Sequence, residues 1–376
     1  MKKKKIVVIY TGGTIGSLPN DSGLLRPERS QIMEDSIRDY LSGIESLGVK
    51  IGEIGVLPEF EFTAIERPFD SSDLDPKHWD VLGAKLFNEI QKSDIDGAVV
   101  LHGTDTLAYT ASALAFMIEG LHLLNKTVVV TGAQLSFFET RSDAKNQLIS
   151  AILLASNSRL REVVVYFDNR VLRACRTTKS DSFSFNAFDS PNFPELAHFG
   201  VTLSEHPTAR FSSRAWNVDL TRRFTNGTRI QFYNFRNRIY RIGVLKIFPG
   251  ISENTINSFF SEYDALVIEG YGAGNGPIGH EGFLRALNNG IHIRKKPAVI
   301  VTQCVRGSVS FDYSTSLEGV GLINGRDMTT EAAVTKLHYL LSKYGPEMEK
   351  VRSRFDHDLI GEVTIPNHLV EEIELN

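Results

Sequence analysis

The stretch Ile6-Val-Val-Ile-Tyr-Thr-Gly-Gly-Thr-Ile-Gly16 decides the reading of this chain. From Ile6 to Tyr10 the residues are β-branched or aromatic without a charged break, and a glycine-rich turn follows. A continuous apolar run of that length suits a strand buried on both faces, as in a parallel sheet, whereas a half-exposed strand alternates. Short β-branched runs recur at Ala98–Leu101, Thr127–Val130, Val163–Phe167, Ile242–Ile247, Ala265–Ile268 and Ala298–Val301. Helical spacing fills the intervals. Asp75-Pro76 sets a cap and a first-turn proline ahead of Trp79, Leu82, Leu86 and Ile90. Leu107, Leu114, Phe116 and Ile118 belong to an Ala-rich helix, and Leu148, Ile152 and Leu153 to another. Ala333, Leu337, Leu340 and Leu341 mark a helix near the C-terminus. Strands alternating with helices predict an α/β fold with mostly parallel strands.

The whole chain of 376 residues is long enough for two such domains. Its 41 basic and 45 acidic residues leave a net charge of −4, and 42% of residues are hydrophobic, which excludes a globally disordered polyelectrolyte. The longest uncharged stretches, such as Leu107–Ile118, fall short of the ~20 apolar residues of a spanning helix, so no membrane segment is expected. The basic start at Met1 leads into an apolar run shorter than the ~7–15 residues of a signal-peptide core, and the expected location is the cytoplasm. Cys175 and Cys304 are too far apart for a paired redox or zinc motif and are read as reduced thiols. The pattern breaks between Pro207 and Tyr240, where Arg210, Arg214, Arg222, Arg223, Arg229, Arg236 and Arg238 face one acid, Asp219. We read residues 207–240 as a linker between an N-terminal domain, 1–206, and a C-terminal domain, 241–376. An arginine cluster suits nucleic acid, but the chain is acidic overall and no nucleic-acid motif frames it. Asn226-Gly-Thr228 fits a glycosylation acceptor only by chance in a chain without an export signal.

In open parallel sheets, ligands bind beyond the carboxyl ends of the strands. After the first run stands Thr11-Gly-Gly-Thr-Ile-Gly16, after the second His102-Gly-Thr-Asp-Thr106, and after the third Thr131-Gly132. Three strand ends thus offer hydroxyls, glycine backbone and one carboxylate. Any one of these turns also reads as a helix cap, and His102 as a histidine held in a turn; their coincidence carries the functional reading. A threonine nucleophile is almost wholly neutral at pH 7 and needs an activating group. His102 is one candidate base, and the lysine of Arg176-Thr-Thr-Lys179 is the other. Gly274-Asn-Gly276-Pro-Ile-Gly279 satisfies the dinucleotide pattern, but it carries Pro277 and no acid stands near position 299 for a ribose. The ten histidines are scattered, without zinc-type spacing, and no metal site is expected.

Taken in order, Tyr10-Thr-Gly-Gly-Thr-Ile-Gly16 and Leu101-His-Gly-Thr-Asp-Thr106 resemble the two signatures of L-asparaginases of the bacterial cytoplasmic (type I) kind. Supporting stretches span nearly the whole chain: Asp70-Ser-Ser-Asp73, Tyr109-Thr-Ala-Ser-Ala-Leu114, Arg141-Ser-Asp143, Arg176-Thr-Thr-Lys179, Pro249-Gly-Ile-Ser252, Thr302-Gln-Cys304 and Asp327-Met-Thr329. The resemblance implies a larger N-terminal, mostly parallel, flavodoxin-like sheet domain plus a smaller C-terminal α/β domain. It implies hydrolysis of L-asparagine to L-aspartate and ammonia through a threonine acyl-enzyme, without metal or organic cofactor. It also implies active sites at subunit contacts of a homo-oligomer of paired dimers. Residue by residue, Thr14 resembles the nucleophile, and Thr104 the second catalytic threonine, aligned by Asp105 and Lys179. Asp105 also resembles the partner of the substrate's α-ammonium group. Asp70, Ser71 and Ser72 resemble the segment that holds the α-amino and α-carboxylate ends, with Gly13 and Gly103 lining the site. Which threonine attacks in which half-reaction stays open at this point.

Two departures stand out. The family's tyrosine on the loop after the first strand has Leu24 as its counterpart, and Tyr313 in Phe311-Asp-Tyr-Ser314 is the expected substitute. Glu269 occupies the position where allosteric relatives carry an arginine, so hyperbolic kinetics are expected. Cys304 matches a cysteine of that second site and is read as a buried structural thiol. The alternatives are an amidohydrolase for glutamine or an amidated tRNA, and a catalytically silent small-molecule binder. The tRNA-dependent amidotransferase D subunit resembles this pattern only after an extra N-terminal domain, whereas the first strand here begins at Ile6. Thr14, Thr104, Asp105 and Lys179 together speak against a silent binder.

Overall fold

Eight strands form one sheet around the first apolar run. In chain order the N-terminal elements are β1 (Lys5–Gly12), the β2–β3 hairpin (Ser17–Pro19 and Leu25–Pro27), α1 (Ser30–Ser46), β4 (Glu59–Phe69), α2 (Pro76–Ile90) and β5 (Gly97–Leu101). They continue with α3 (Leu107–Met117), β6 (Ile118–Glu119), β7 (Thr127–Thr131), α4 (Ala144–Ala155), β8 (Val163–Phe167) and β9 (Arg170–Arg173). The short strands β10 (Thr178–Lys179), β11 (Phe188–Asp189), β12 (Ala197–Phe199), β13 (Leu203–Glu205) and β14 (Gln231–Phe232) follow. This computed structural model describes residues 3–46, 57–156, 160–200, 202–206, 230–235, 239–312 and 317–364. It comprises two compact units, one running to Ser190 and from Pro194 to Phe232, the other Pro191–Phe193 with everything from Tyr233 onward. The linker expected over 207–240 lies outside the described residues at 207–229 and 236–238.

The sheet order is β13-β12-β9-β8-β7-β5-β1-β4. The strands β4, β1, β5, β7 and β8 are mutually parallel, while β9, β12 and β13 extend the sheet antiparallel. Numbered among themselves, the five parallel strands run 2-1-3-4-5, the flavodoxin-like order. Alternate residues of each strand enter one core: Val7, Ile9, Val100, Val130 and Val165 pack with Leu82, Leu86 and Ile90 of α2 and Leu107 and Leu114 of α3. The predicted cap of α2 is a capping box, in which Asp75 accepts the Lys77 N–H at 2.9 Å and the Asp75 N–H donates to His78 Nδ1.

The structure corrects the extent of the third helix. It ends at Met117, and Ile118 turns into β6, where it pairs with Phe232 of β14. It also adds β4, which alternates Glu59-Phe-Glu-Phe62 rather than running apolar. As an edge strand with one face covered, β4 follows the period-two pattern that a search for continuous runs passes over.

The C-terminal unit holds a second parallel sheet, β15 (Ile242–Lys246), β16 (Ala265–Gly270), β17 (Ala298–Thr302) and β18 (Ile323–Asn324), in sequence order. Its helices are α5 (Glu253–Glu262), α6 (Glu281–Asn288), α7 (Thr330–Tyr344) and α8 (Met348–Phe355). Ser252 and Thr329 cap α5 and α7 by accepting the Thr255 and Ala332 N–H groups. Lys336 of α7 is fully buried. Its ammonium pairs with Glu362 at 2.5 Å and donates to the Phe355 and His357 carbonyls. No helix among the described residues is long and apolar enough to cross a membrane.

Candidate active site

The chain leaves β1 toward β4 on one side and leaves β5 toward β7 on the other, so the turns after β1 and β5 border the switch point of the sheet. These are the two turns that carry Thr14 and Thr104. They interlock through backbone. Gly13, at φ +80°, lies so near the second turn that a Cβ there would fall 2.2 Å from the Gly103 Cα. A Cβ on Gly103 would in turn fall 2.5 Å from Ser71 Oγ, at the end of β4. Three strand ends are therefore stacked without room for side chains between them. The Gly13 N–H donates to the Phe69 carbonyl at 3.1 Å, and the Thr106 hydroxyl donates to the Ser71 carbonyl at 2.8 Å. Thr14 begins a single 3-10 turn, is half-buried, and its hydroxyl makes no hydrogen bond among the described residues.

Beneath the second turn His102 is fully buried. Its Nδ1 lies 2.8 Å from the Gly103 carbonyl and its Nε2 3.0 Å from Thr110 Oγ1, which itself accepts the Trp79 indole N–H at 3.1 Å. The network assigns the proton to Nδ1, leaving Nε2 to accept from Thr110. Burial lowers the imidazole pKa to about 4, so the ring is neutral at physiological pH and both nitrogens are occupied. This histidine holds the turn, as expected from the sequence, and is not placed to act as a base.

Lys179 is the base candidate that the fold brings in. Its ammonium donates to Thr104 Oγ1 at 3.0 Å and to Asp105 Oδ1 at 2.7 Å. Thr104 is buried, whereas the Asp105 side chain is 60% exposed, so the row runs from the interior to the mouth of the site. The lysine stands on β10, which pairs antiparallel with β11. Asp70 is a second exposed acid near this mouth; it accepts the Ser72 N–H at 2.9 Å and the Ser72 hydroxyl at 2.7 Å, while Ser71 is buried behind Gly103. Together these groups suit a small zwitterion: a buried hydroxyl with an amine beside it, and exposed carboxylates for a cationic end.

The family model described as Asparaginase, N-terminal, matches residues 5–209, and that of the Glutaminase/Asparaginase C-terminal domain matches residues 241–355. The chain belongs to the asparaginase family. L-asparaginase 1 of Escherichia coli is 35% identical over 97% of this chain and 99% of its own length. Among solved structures, L-asparaginase I from Vibrio cholerae is 32% identical, covers 96% of this chain and all of its own, and superimposes with a TM-score of 0.79. The thermostable L-asparaginase from Thermococcus kodakarensis is 29% identical over 96% of this chain and all of its own, with a TM-score of 0.77.

Set against this asparaginase fold, the sequence expectations divide by location. Gly13, Thr14, Asp70, Ser71, Ser72, Gly103, Thr104, Asp105 and Lys179 all lie in the N-terminal unit, Lys179 on β10 and the others on the turns after β1, β4 and β5. Tyr313 lies outside the described residues. Leu24 sits at the tip of the β2–β3 hairpin and is 64% exposed. The Asn20 side chain orders that tip by accepting the Ser22 and Leu24 N–H groups. Cys304 is corrected: it is exposed, because it lies past the end of β17 in a turn whose N–H donates to Thr302 Oγ1. Cys175 is buried. Glu269 accepts the Thr330 hydroxyl at 2.7 Å and lies 3.7 Å from the Lys246 ammonium. Among the described residues no group of three or more His, Cys, Asp or Glu is placed to hold a metal ion.

Proposed function

We propose that this asparaginase-family chain hydrolyses L-asparagine to L-aspartate and ammonia by acyl transfer. The observation that carries the reading is the hydrogen-bonded row Thr104–Lys179–Asp105, one glycine contact away from the free hydroxyl of Thr14. In this reading Thr14 Oγ attacks the side-chain amide carbon. Its proton passes through the Thr104–Lys179 row to the amide nitrogen, which leaves as ammonia. The resulting ester is hydrolysed by water, giving aspartate and restoring the Thr14 hydroxyl. Asp105 and Asp70 receive the substrate's α-ammonium group, Ser71 and Ser72 contribute to holding its α-carboxylate, and backbone N–H groups near the glycines, other than those of Gly13 and Gly16, stabilise the oxyanion.

The same reading assigns the threonines to a domain spanning 1–206 and the linker to 207–240. The C-terminal domain, 241–376, supplies Tyr313 in place of the loop tyrosine. It takes the working enzyme to be a cytoplasmic homo-oligomer, a dimer or a dimer of dimers. Hydrolysis of L-glutamine is the second reading, favoured by the exposed Leu24, which brings no hydroxyl to the substrate. One methylene is worth only ~1–3 kcal/mol of discrimination in a pocket.

Ammonia release from asparagine and from glutamine tests both, using wild type, Thr14→Val and Thr104→Val. Wild-type turnover that drops by roughly 10²-fold or more in each variant is the expected result. Unchanged rates in both variants would overturn the acyl-transfer reading.

A further inference from the structure

Asp143 stands at the N-cap of α4, where an aspartate ordinarily accepts an N–H of its own helix. Here its side chain makes no cap bond. Oδ2 accepts the Gln134 N–H at 3.0 Å and Oδ1 the Leu135 N–H at 2.9 Å, while Ser142 Oγ takes over the Ala144 N–H. The carboxylate thus shapes the loop after β7 instead of the helix behind it.

That loop reaches two parts of the site. Toward the Thr14 turn, the Phe137 N–H donates to the Ile15 carbonyl at 2.9 Å and the buried Ser136 hydroxyl donates to the Ser17 carbonyl. Toward Lys179, Gln134 Nε2 donates to the Ser184 carbonyl at 2.8 Å, in the hairpin between β10 and β11. Asp181 orders that hairpin by accepting the Phe183 and Ser184 N–H groups. The loop is also fixed from outside. Phe137 packs edge-on against Tyr40 of α1 with ring centroids 5.7 Å apart, and the Lys145 ammonium lies over both rings.

We propose that Asp143 is a positioning residue for the reaction: through Gln134, Ser136 and Phe137 it sets the placement of the Thr14 turn relative to the Lys179 hairpin. The inference rests on the reading of Thr14 and Lys179 given above. Neither Asp143 nor Gln134 touches the row that moves the proton. Of the groups assigned to the substrate's α-amino and α-carboxylate ends, Asp70 and Ser72 bond to each other, and Asp105 is joined to this loop only through Lys179. Loss of Asp143 therefore acts on kcat rather than on KM, in the way that a small misplacement of reacting groups lowers rate without weakening substrate binding.

The test measures kcat and KM with asparagine for Asp143→Asn, Asp143→Ala and Gln134→Leu, each assayed well below its own melting temperature. Gln134→Leu is also combined with Lys179→Met. Asp143→Ala is expected to lower kcat by about 10²-fold with KM within about 2-fold, and Asp143→Asn, which keeps one acceptor oxygen, to fall between it and wild type. Gln134→Leu is expected to lower kcat about 10-fold on its own and to add nothing once Lys179 is methionine, because the arm then has no amine to place. Gln134→Leu also keeps the inference testable if Asp143→Ala fails to fold. Wild-type kcat in the foldable variants, or a Gln134 effect that persists undiminished beside Lys179→Met, would overturn it. Full activity of Lys179→Met alone is a different outcome: it removes the acyl-transfer reading and this inference with it.

Discussion

The backbones of Gly13 and Gly103 approach so closely that Gly13 has no room for a methyl group, and Gly103 is closed off in turn by the Ser71 side chain. Gly13 also holds φ at +80°, where an L side chain is strained. Gly13→Ala should therefore push the Thr14 turn off the Thr104 turn. A loss of at least ~2 kcal/mol in urea unfolding is expected. A drop of about 10²-fold in ammonia release should accompany it, measured at a temperature where the variant is still folded.

Lys179 donates to both Thr104 and Asp105. Lys179→Met should lower kcat by roughly 10³-fold with a smaller change in KM. Lys179→Arg keeps the charge but puts a larger, planar fork where a compact amine meets both Thr104 and Asp105, so it should rescue little of the lost rate. Recovery of more than half the wild-type kcat by the arginine variant would show that the group is needed only as a cation.

Buried His102 makes the fold acid-sensitive. Its folded pKa is about 4, whereas a free imidazole titrates near 6.5. Above pH ~6.5 neither state binds the proton and the stability is fully present. As pH falls from ~6.5 toward ~4 the unfolded chain takes up a proton that the folded chain refuses, and about 3 kcal/mol is lost. His102→Gln, which offers both a donor and an acceptor without titrating, should flatten the decline in melting temperature over that window.

The Lys336–Glu362 pair predicts a different asymmetry. Lys336, with the hydrogen bonds from the Leu359 and Ile360 N–H groups, holds the Glu362 carboxyl at about 2 despite its complete burial. Its contribution is present above pH ~4.5 and fades as pH falls toward 2. Lys336→Met leaves a buried carboxylate unpaired and should cost ~3–5 kcal/mol. Adding Glu362→Gln should recover a large part of that loss, read by denaturant unfolding of the two variants side by side.

Glu269 accepts the Thr330 hydroxyl at the end of β16. A carboxylate there repels the α-carboxylate of a second amino acid, so the initial rate should rise hyperbolically with asparagine. A sigmoidal curve, or one made sigmoidal only by Glu269→Arg, distinguishes whether this residue governs the response.

Most of the parallel strands were legible because burial on both faces writes each as an unbroken apolar run, as in Ile6–Tyr10 and Val163–Phe167; β15, expected to be buried on both faces, is an edge strand that alternates buried and exposed residues and ends at Lys246. Strand β4 was not legible, since an edge position alternates, and α1 was not, since its stripe of Met33, Ile37 and Leu41 is diluted by polar residues. The threonine turns were legible as glycine-rich ends of strands. The contact between Gly13 and Gly103 was not, because local spacing carries no signal for which two turns will meet. Gln134 and Ser136 escaped notice for a related reason. Each acts through one hydrogen bond to a segment distant in sequence, and neither belongs to a motif whose chemistry announces itself.

The indole of Trp79 donates to the same Thr110 hydroxyl that holds His102 beneath the second threonine turn, and it is almost wholly buried. The chain has one other tryptophan, Trp216, outside the described residues. Replacing Trp216 with phenylalanine would leave a single tryptophan, wired to the floor of the Thr104 turn. Its emission would then act as a built-in gauge: substrate, inhibitor or acid that disturbs the turn would register as light, with no label attached.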